Sequence, residues 1–286
     1  IKTGKIFDTK EFIDNTVTAI NFSPDCNTFA VGSTEVSFFD MQNHSIKNKK
    51  LNFNNGIIDG IWNKTGNIIS YVNRISNKKH SVKFFDFSSG RFYETKIRDN
   101  LICRLYFSPN EKYVAAPGFD NACFIYDSNT GNEVTRILHD YFALCASWSP
   151  DNRYIATGSQ DCSIKISSTD SWTCINKLTG HTGNVMAVSF SQNGTQLASC
   201  STDKTIKIWN QYTGECKKTL YGHSDKVRGL CYIQNGKFLV TGSEDKTVKI
   251  WNIDSGICEK TIDVFTDKII AIEQSHDKKY IATISD

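Results

Sequence analysis

Hydrophobic and polar positions alternate in short runs along this chain, and turn residues separate the runs. Val185 to Phe190 reads VMAVSF and is mostly apolar. Gln192-Asn193-Gly194 interrupts it, and Gln196 to Ser201 forms a second run. Thr202-Asp203-Lys204 interrupts again, and Thr205 to Trp209 then alternates with a period of two. Thr213-Gly214 leads into a fourth run, Glu215 to Tyr221. Short runs of this kind, bounded by Asn, Asp and Gly, predict β-strands joined by tight turns. The four leave no room for a helix, so the unit they predict is a small antiparallel sheet.

The unit recurs. The stretch GHTGNVMAVSFSQNGTQLASCSTDKTIKIWN, Gly180 to Asn210, returns as GHSDKVRGLCYIQNGKFLVTGSEDKTVKIWN, Gly222 to Asn252, with each landmark moved by 42 residues. Asp161 and His139 lie 42 residues before Asp203 and His181, and Asp120 lies 41 before Asp161. Tyr126-Asp127, Phe85-Asp86 and Phe39-Asp40 end the third strands of more degenerate copies. FSPD, WNKTG, FSPN and WSPD, starting at Phe22, Trp62, Phe107 and Trp148, mark their first turns. A proline at the second turn position fixes φ where the turn needs it. Self-similarity at this period belongs to solenoids, propellers or arrays.

The two ends complete one another. Thr3-Gly4 aligns with Thr213-Gly214 five periods later, so residues 1–15 predict an outer strand. Residues 16–264 hold six complete units, and 265–286 hold two inner strands. Lys5 to Phe12 is expected to join Ile269–Glu273 and Lys279–Thr283 in one sheet. Seven periods exceed the chain by about eight residues, one strand and its turn. The expectation is a single all-β domain over 1–286, a closed ring of seven sheets whose last is shared between the termini. Closure protects strand edges. The first residue is Ile, which suggests a piece of a longer chain.

Gly-His, then Asp, then Trp followed by Asn, at this spacing, resembles the WD40-repeat β-propeller family. The resemblance is sharpest over Gly180–Asn252 and weakest over 16–138. It implies a hydrogen-bonded set within each blade: His181, Ser199, Asp203 and Trp209 in the fifth, and His223, Thr241, Asp245 and Trp251 in the sixth. The fourth keeps His139, Thr157 and Asp161 but has Ser167 where Trp belongs, so its set is broken. The third has Asp120 and Tyr126, with Ala116 in place of the hydroxyl residue. The first two lack Gly-His.

Composition narrows the function. The net charge of +3 over 286 residues does not demand nucleic acid or an acidic membrane. No apolar run approaches the roughly 18 residues of a membrane span, and no secretory signal opens the chain. Ten cysteines form no C-x-x-C pair, which suggests a reducing, intracellular setting, cytoplasmic or nuclear. Cys174, Cys216 and Cys258 share one repeat position and are expected to be small buried hydrophobes.

A recurring Ser, His and Asp suggests a hydrolase triad. The same constellation in two units instead serves the repeat. No Cys/His cluster has metal spacing and no glycine-rich phosphate loop precedes a helix, so no cofactor, metal or small-molecule substrate is expected. An enzyme built on a propeller would need convergent acid, base or metal groups at the central channel, and the sequence shows none. The lysine runs at 47–50 and 77–79 read as solvated loops or strand edges.

The family resemblance implies docking on the narrow face, built by the loops between strands four and one and between strands two and three. By position that face holds Gln160, Thr202, Lys204, Asp225, Lys226, Arg228, Glu244 and Lys246, with Phe119, Tyr141, Phe142 and Leu144 beside them. Aromatic and arginine residues are frequent interface anchors. The expected function is a non-enzymatic scaffold for other proteins within a complex. Alternatives are a subunit of an RNA-associated or other nucleic-acid-associated complex, with nucleic acid reached only indirectly, and a ubiquitin-ligase substrate receptor. The latter is disfavoured by Tyr212 and Asp254, which stand where such receptors carry Arg.

Overall fold

In the computed structural model, which describes residues 19–25, 28–32, 35–40, 45–52, 57–76, 79–86, 88–263, 265–275 and 278–285, the apolar runs become β-strands. Among the described residues the only helical element is a 3-10 turn, Gln234–Gly236. The first sheet is Ala19–Phe22 (β1), Thr28–Gly32 (β2), Glu35–Asp40 (β3) and Ser45–Asn52 (β4). The second is Ile57–Trp62 (β5), Ile68–Arg74 (β6), His80–Asp86 (β7) and Arg91–Glu94 (β8). The third is Tyr106–Phe107 (β9), Tyr113–Gly118 (β10), Ala122–Asp127 (β11) and Glu133–Leu138 (β12). The fourth is Ala143–Trp148 (β13), Tyr154–Ser159 (β14), Ile164–Ser168 (β15) and Cys174–Leu178 (β16). The fifth is Val185–Phe190 (β17), Gln196–Ser201 (β18), Ile206–Asn210 (β19) and Cys216–Leu220 (β20). The sixth is Val227–Ile233 (β21), Phe238–Ser243 (β22), Val248–Asn252 (β23) and Cys258–Ile262 (β24). The last described sheet has two strands, Ile269–Gln274 (β25) and Ile281–Ser285 (β26).

Within each sheet, strands pair antiparallel in chain order. First strands neighbour one another from sheet to sheet, and β25 neighbours β1. The second strands β14, β18 and β22 lie against adjacent sheets and are buried along nearly their whole length. The fourth strands β16 and β24 present mostly exposed residues. The core lies between sheets. Trp209 packs with Cys145, Ile164, Ile166 and Leu178 of the preceding sheet, and Trp251 packs likewise with Cys200, Ile206 and Leu220.

Matched bulges interrupt four first strands. The register shifts between Ala143 and Cys145, Val185 and Ala187, Val227 and Gly229, and Ile269 and Ala271. A bulge leaves one residue unpaired and re-aims its side chain. Here those residues are Leu144, Met186, Arg228 and Ile270.

Some expectations shift. The third strand of the fifth sheet begins at Ile206 rather than Thr205, because Thr205 donates backbone N–H and hydroxyl to Asp203 and belongs to the turn. Strand β26 covers Ile281–Ser285 rather than Lys279–Thr283. The Ser275 backbone N–H donates to the Tyr280 carbonyl, and the Tyr280 N–H donates to the Ser275 hydroxyl, which keeps this stretch in a turn. Lys5–Phe12 lies outside the described residues. The three repeat-matched cysteines are not core residues: Cys174 and Cys216 are exposed and Cys258 is half-buried. Each opens an outer strand, and its thiol donates to the carbonyl two residues on (Asn176, Lys218 and Lys260).

Candidate functional site

The His-Asp sets come together as the repeat implies. In the fifth sheet His181 Nδ1 lies 2.7 Å from Asp203 Oδ2, and His181 Nε2 lies 2.8 Å from Ser199 Oγ. The Trp209 indole N–H donates to the same Ser199 Oγ at 2.8 Å. In the sixth, His223 reaches Asp245 and Thr241, each at 2.8 Å, and Trp251 donates to Thr241 at 2.8 Å. Burial depresses the pKa of His181 and His223, against the pull of their aspartates. A neutral imidazole then donates from Nδ1 to the carboxylate and accepts the hydroxyl proton at Nε2. Burial opposes ionisation of Asp203 and Asp245, but hydrogen bonds from Thr205 and Thr247, the following backbone N–H groups and the histidines hold both below the ordinary range. Ser199 and Thr241 are fully buried, and each hydroxyl is used as donor and acceptor. The order Asp-His-Ser matches a hydrolase triad, yet both hydroxyls are closed off from solvent.

The fourth sheet has part of the set. His139 Nε2 is 2.8 Å from Thr157 Oγ1, but Nδ1 stands 3.3 Å from Asp161. Ser167, in the tryptophan position, is buried and its hydroxyl has no partner. The third sheet uses other chemistry. Arg98 lies 41 residues before His139 and occupies the histidine's place. Its Nε donates to the Tyr126 hydroxyl at 2.7 Å, its Nη2 pairs with Glu133, and its Nη1 is 4.0 Å from Asp120. The repeat offset carried that signal, but a search for Gly-His passes over it.

One backbone hydrogen bond repeats around the narrow face. The N–H groups of Phe119, Gln160, Thr202 and Glu244 donate to the carbonyls of Leu101, Phe142, Asn184 and Lys226. These residues are therefore equivalent, and their side chains differ sharply. Phe119 stacks on Phe142 of the next sheet, with centroids 4.3 Å apart and planes within 3°. Both rings are half-buried, Leu144 is half-buried, and Tyr141 is 60% exposed. At the corresponding place Glu244 is almost enclosed. Arg228 Nε donates to Glu244 Oε1 at 2.6 Å, while Lys226 Nζ and Lys268 Nζ lie 3.6 and 3.5 Å from Oε2. Burial opposes the charge on Glu244, but Arg228 and the two lysines together hold its pKa below normal. Lys268 was legible only as the residue 42 after Lys226.

Two predicted docking lysines have structural partners. Lys204 Nζ donates to the Ser224 carbonyl and Lys246 Nζ to the Thr266 carbonyl, both at 2.8 Å, in the loop that opens the next sheet. Thr202 Oγ1 accepts from the Asn184 N–H, Gln160 is exposed, and Asp225 accepts from the Lys226 N–H.

Acid and base groups do come together at Asp59 of β5, Arg104 just before β9 and Glu273 of β25, which the sequence reading did not find. Asp59 accepts from the Leu105 N–H at 2.6 Å. Burial raises Asp59 to about 6 and Glu273 to about 7, with Arg104 opposing both shifts. The sequence hides this cluster because its members lie in degenerate repeats far apart in the chain. Among the described residues no group of three or more His, Cys, Asp or Glu could hold a metal ion, and no helix is long and apolar enough to cross a membrane.

Comparison with known proteins agrees with this architecture. Residues 172–210 and 214–252 match the family model described as "WD domain, G-beta repeat". Residues 16–178 match the one described as "Eukaryotic translation initiation factor eIF2A". Over 129 residues the chain is 30% identical to the guanine nucleotide-binding protein subunit beta-1 of Drosophila melanogaster, covering 43% of this chain and 34% of that protein. It is 31% identical over 108 residues to the guanine nucleotide-binding protein G(I)/G(S)/G(T) subunit beta-1 of Homarus americanus, covering 36% and 32%. The match to the guanine nucleotide-binding protein subunit beta of Lymnaea stagnalis is again 31% over 108 residues, covering 36% and 31%. The chain thus spans about a third of the length of these curated relatives. The chain carries WD40 repeats over residues 172–210 and 214–252 and, through residues 16–178, belongs to the family described as Eukaryotic translation initiation factor eIF2A.

Proposed function

We propose that this chain is a non-enzymatic protein-interaction scaffold, an intracellular subunit of a multiprotein complex that docks partners on its narrow face. The Phe119–Phe142 stack carries the reading. Its equivalents between the next sheets are polar, Gln160 with Asn184 and Thr202 with Lys226, so the two rings are not something the repeat requires. A sequence tends to break its own rules at functional positions. Rigid scaffolds that carry variable loops suit recognition. The test is affinity capture of partners by the wild type and by Phe119→Ala/Phe142→Ala, with melting curves to confirm folding. The double variant should weaken a partner complex by more than about 1 kcal/mol. Unchanged capture by a folded variant would move the site to the opposite face or the outer strands.

A translation-related complex is the second reading, favoured by the match of residues 16–178 to the eIF2A family. Co-sedimentation with ribosomal subunits would support it. In that setting nucleic acid is reached through partner proteins. Direct RNA binding would give a steep salt dependence that a protein-mediated contact lacks.

A further inference from the structure

We infer that Lys226 and Lys268, gathered with Arg228 around Glu244, form the docking site for an acidic segment of a partner protein. This rests on the narrow-face reading and names the chemistry it selects.

Lys204 and Lys246 each spend a hydrogen bond on a backbone carbonyl. Arg228 is engaged with Glu244 Oε1, and its Nη1 faces Met186 Sδ at 3.9 Å. Lys226 and Lys268 are different. Their ammonium groups stand 3.6 and 3.5 Å from one Glu244 oxygen, beyond ordinary hydrogen-bond length, and their side chains are 46% and 49% exposed. Each keeps its donors for something in solution. Three cations lie within 4 Å of a single carboxylate that is itself 4% exposed. The nearby aspartates do not quench them. Asp225 and Asp267 turn an oxygen onto the N–H of the following lysine, each at 2.8 Å, and neither forms an ion pair among the described residues. Lysine charges with a fixed, enclosed counter-ion between them are held in place rather than free to wander.

The same arrangement sets the ligand. Lys226, Arg228 and Lys268 bring three positive charges to the single negative charge of Glu244, and the surplus rests on two separate ammonium groups. Two carboxylates of an acidic segment can each take one lysine, whereas a single phosphate would concentrate its charge in one place beside Glu244. A nucleic-acid backbone needs a stripe of free cations, and on this face two of the lysines are tied down.

The probe is a fluorescein-labelled peptide, Asp-Glu-Asp-Phe-Glu-Asp, with three comparison ligands: its Asn/Gln counterpart, a phosphoserine version and an oligouridylate. Fluorescence anisotropy should show the acidic peptide binding at least about tenfold more tightly than its amide counterpart, with affinity falling as salt rises. Lys226→Gln/Lys268→Gln should weaken it by about tenfold or more, Lys226→Arg/Lys268→Arg should retain it, and Lys217→Gln on the outer strand should leave it unchanged. Equal binding of the amide peptide, an unaffected double glutamine variant, or no binding at about 1 mM would overturn the inference. Preference for the phosphopeptide or the oligouridylate would overturn it in favour of that ligand. Phe119→Ala/Phe142→Ala separates the two readings. If partner capture is lost in the phenylalanine variant while the lysine variant keeps both its partners and the peptide, docking on this face stands and the acidic site falls. If both variants bind as the wild type does, both fall.

Discussion

The fourth sheet and the sixth hold the same histidine and aspartate in different company. In the sixth, the Trp251 indole closes the set by donating to Thr241, and Gly222 lies flat against the ring. Gly222 has a φ of +147°, and a Cβ there would come 3.1 Å from Trp251 Cη2. In the fourth sheet Ser167 stands in the tryptophan position, its hydroxyl has no partner, and Leu138 takes the place before the histidine. The glycine and the tryptophan thus depart together. The His139–Thr157 contact survives at 2.8 Å while the aspartate contact loosens to 3.3 Å. What the repeat preserves is a polar clamp between the loop entering a sheet and that sheet's second strand. The third sheet keeps a polar clamp too, but there Arg98 reaches the third strand, at Tyr126.

The largest expected difference is at the tryptophan itself. Trp251→Ala removes a fully buried indole and strips Thr241 of a donor, and should cost about 3–5 kcal/mol. Ser167→Ala removes a buried hydroxyl that has no partner, and should be neutral or mildly stabilising. Urea denaturation of both variants checks this. Similar losses would mean that Ser167 has a partner the comparison denies it.

Burial lowers the pKa of all three histidines, that of His139 to about 4. A group whose folded pKa is depressed below its unfolded value of about 6.5 favours unfolding once it is protonated. Its contribution is full above pH 6.5 and is lost as pH falls towards 4. Asp161, Asp203 and Asp245 are depressed too, but their contribution is lost only at pH values below the ordinary carboxylate range. Asp59 and Glu273 act the other way, since their raised pKa values favour the folded state at lower pH. The sign is therefore read by difference. His139→Asn, which cannot charge, should lose less stability than the wild type between pH 7 and 5, by up to about 1.4 kcal/mol per pH unit. A wild type and variant with parallel pH profiles would show that His139 titrates normally.

The strands, their order and the sharp His-Asp-Trp sets were legible because a polar network with fixed partners needs fixed residue types at fixed offsets. Positions served by packing were not. Trp172 sits at φ +58° in the turn where Gly131, Gly214 and Gly256 sit, offset by packing against Tyr113 and Trp148. No periodicity announces that. Cys174, Cys216 and Cys258 were read as buried because the repeat placed them on strands, but an outer strand has only one covered face. The lysines of the narrow face all look solvated in sequence. Only the fold separates Lys204 and Lys246, which reach across to the next sheet, from Lys226 and Lys268, which do not.

The glycine prediction is smaller. Gly222→Ala places a methyl group against the indole at a left-handed φ, and should cost about 1–3 kcal/mol. Leu138→Gly, at the end of β12 and just before His139, meets no tryptophan, and Leu138 is 60% exposed, so the loss should stay within about 1 kcal/mol, from backbone entropy. Thermal melts rank the two. If Leu138→Gly proved the more costly, Leu138 would have to be packing into the space that the tryptophan fills elsewhere.

The smallest effect concerns the cross-sheet lysines. Lys204 and Lys246 adopt φ values of +70° and +68°, and Cys162 holds the same turn position in the fourth sheet at +66°. The backbone is thus already set for a side chain that could cross to the next loop. By the repeat, the carbonyl equivalent to those of Ser224 and Thr266 is that of Thr182. Cys162→Lys should donate to it and add about 0.5–1 kcal/mol, and Lys204→Cys should remove a similar amount. The conformational cost of a left-handed residue is common to both side chains and cancels. Urea midpoints at low and high salt test the pair. A lysine bonded to a carbonyl carries less salt dependence than one held by an opposite charge, so the gain should persist at high salt. If it vanished there, the new lysine would be pairing with an acidic neighbour such as Asp161 instead of bridging the sheets.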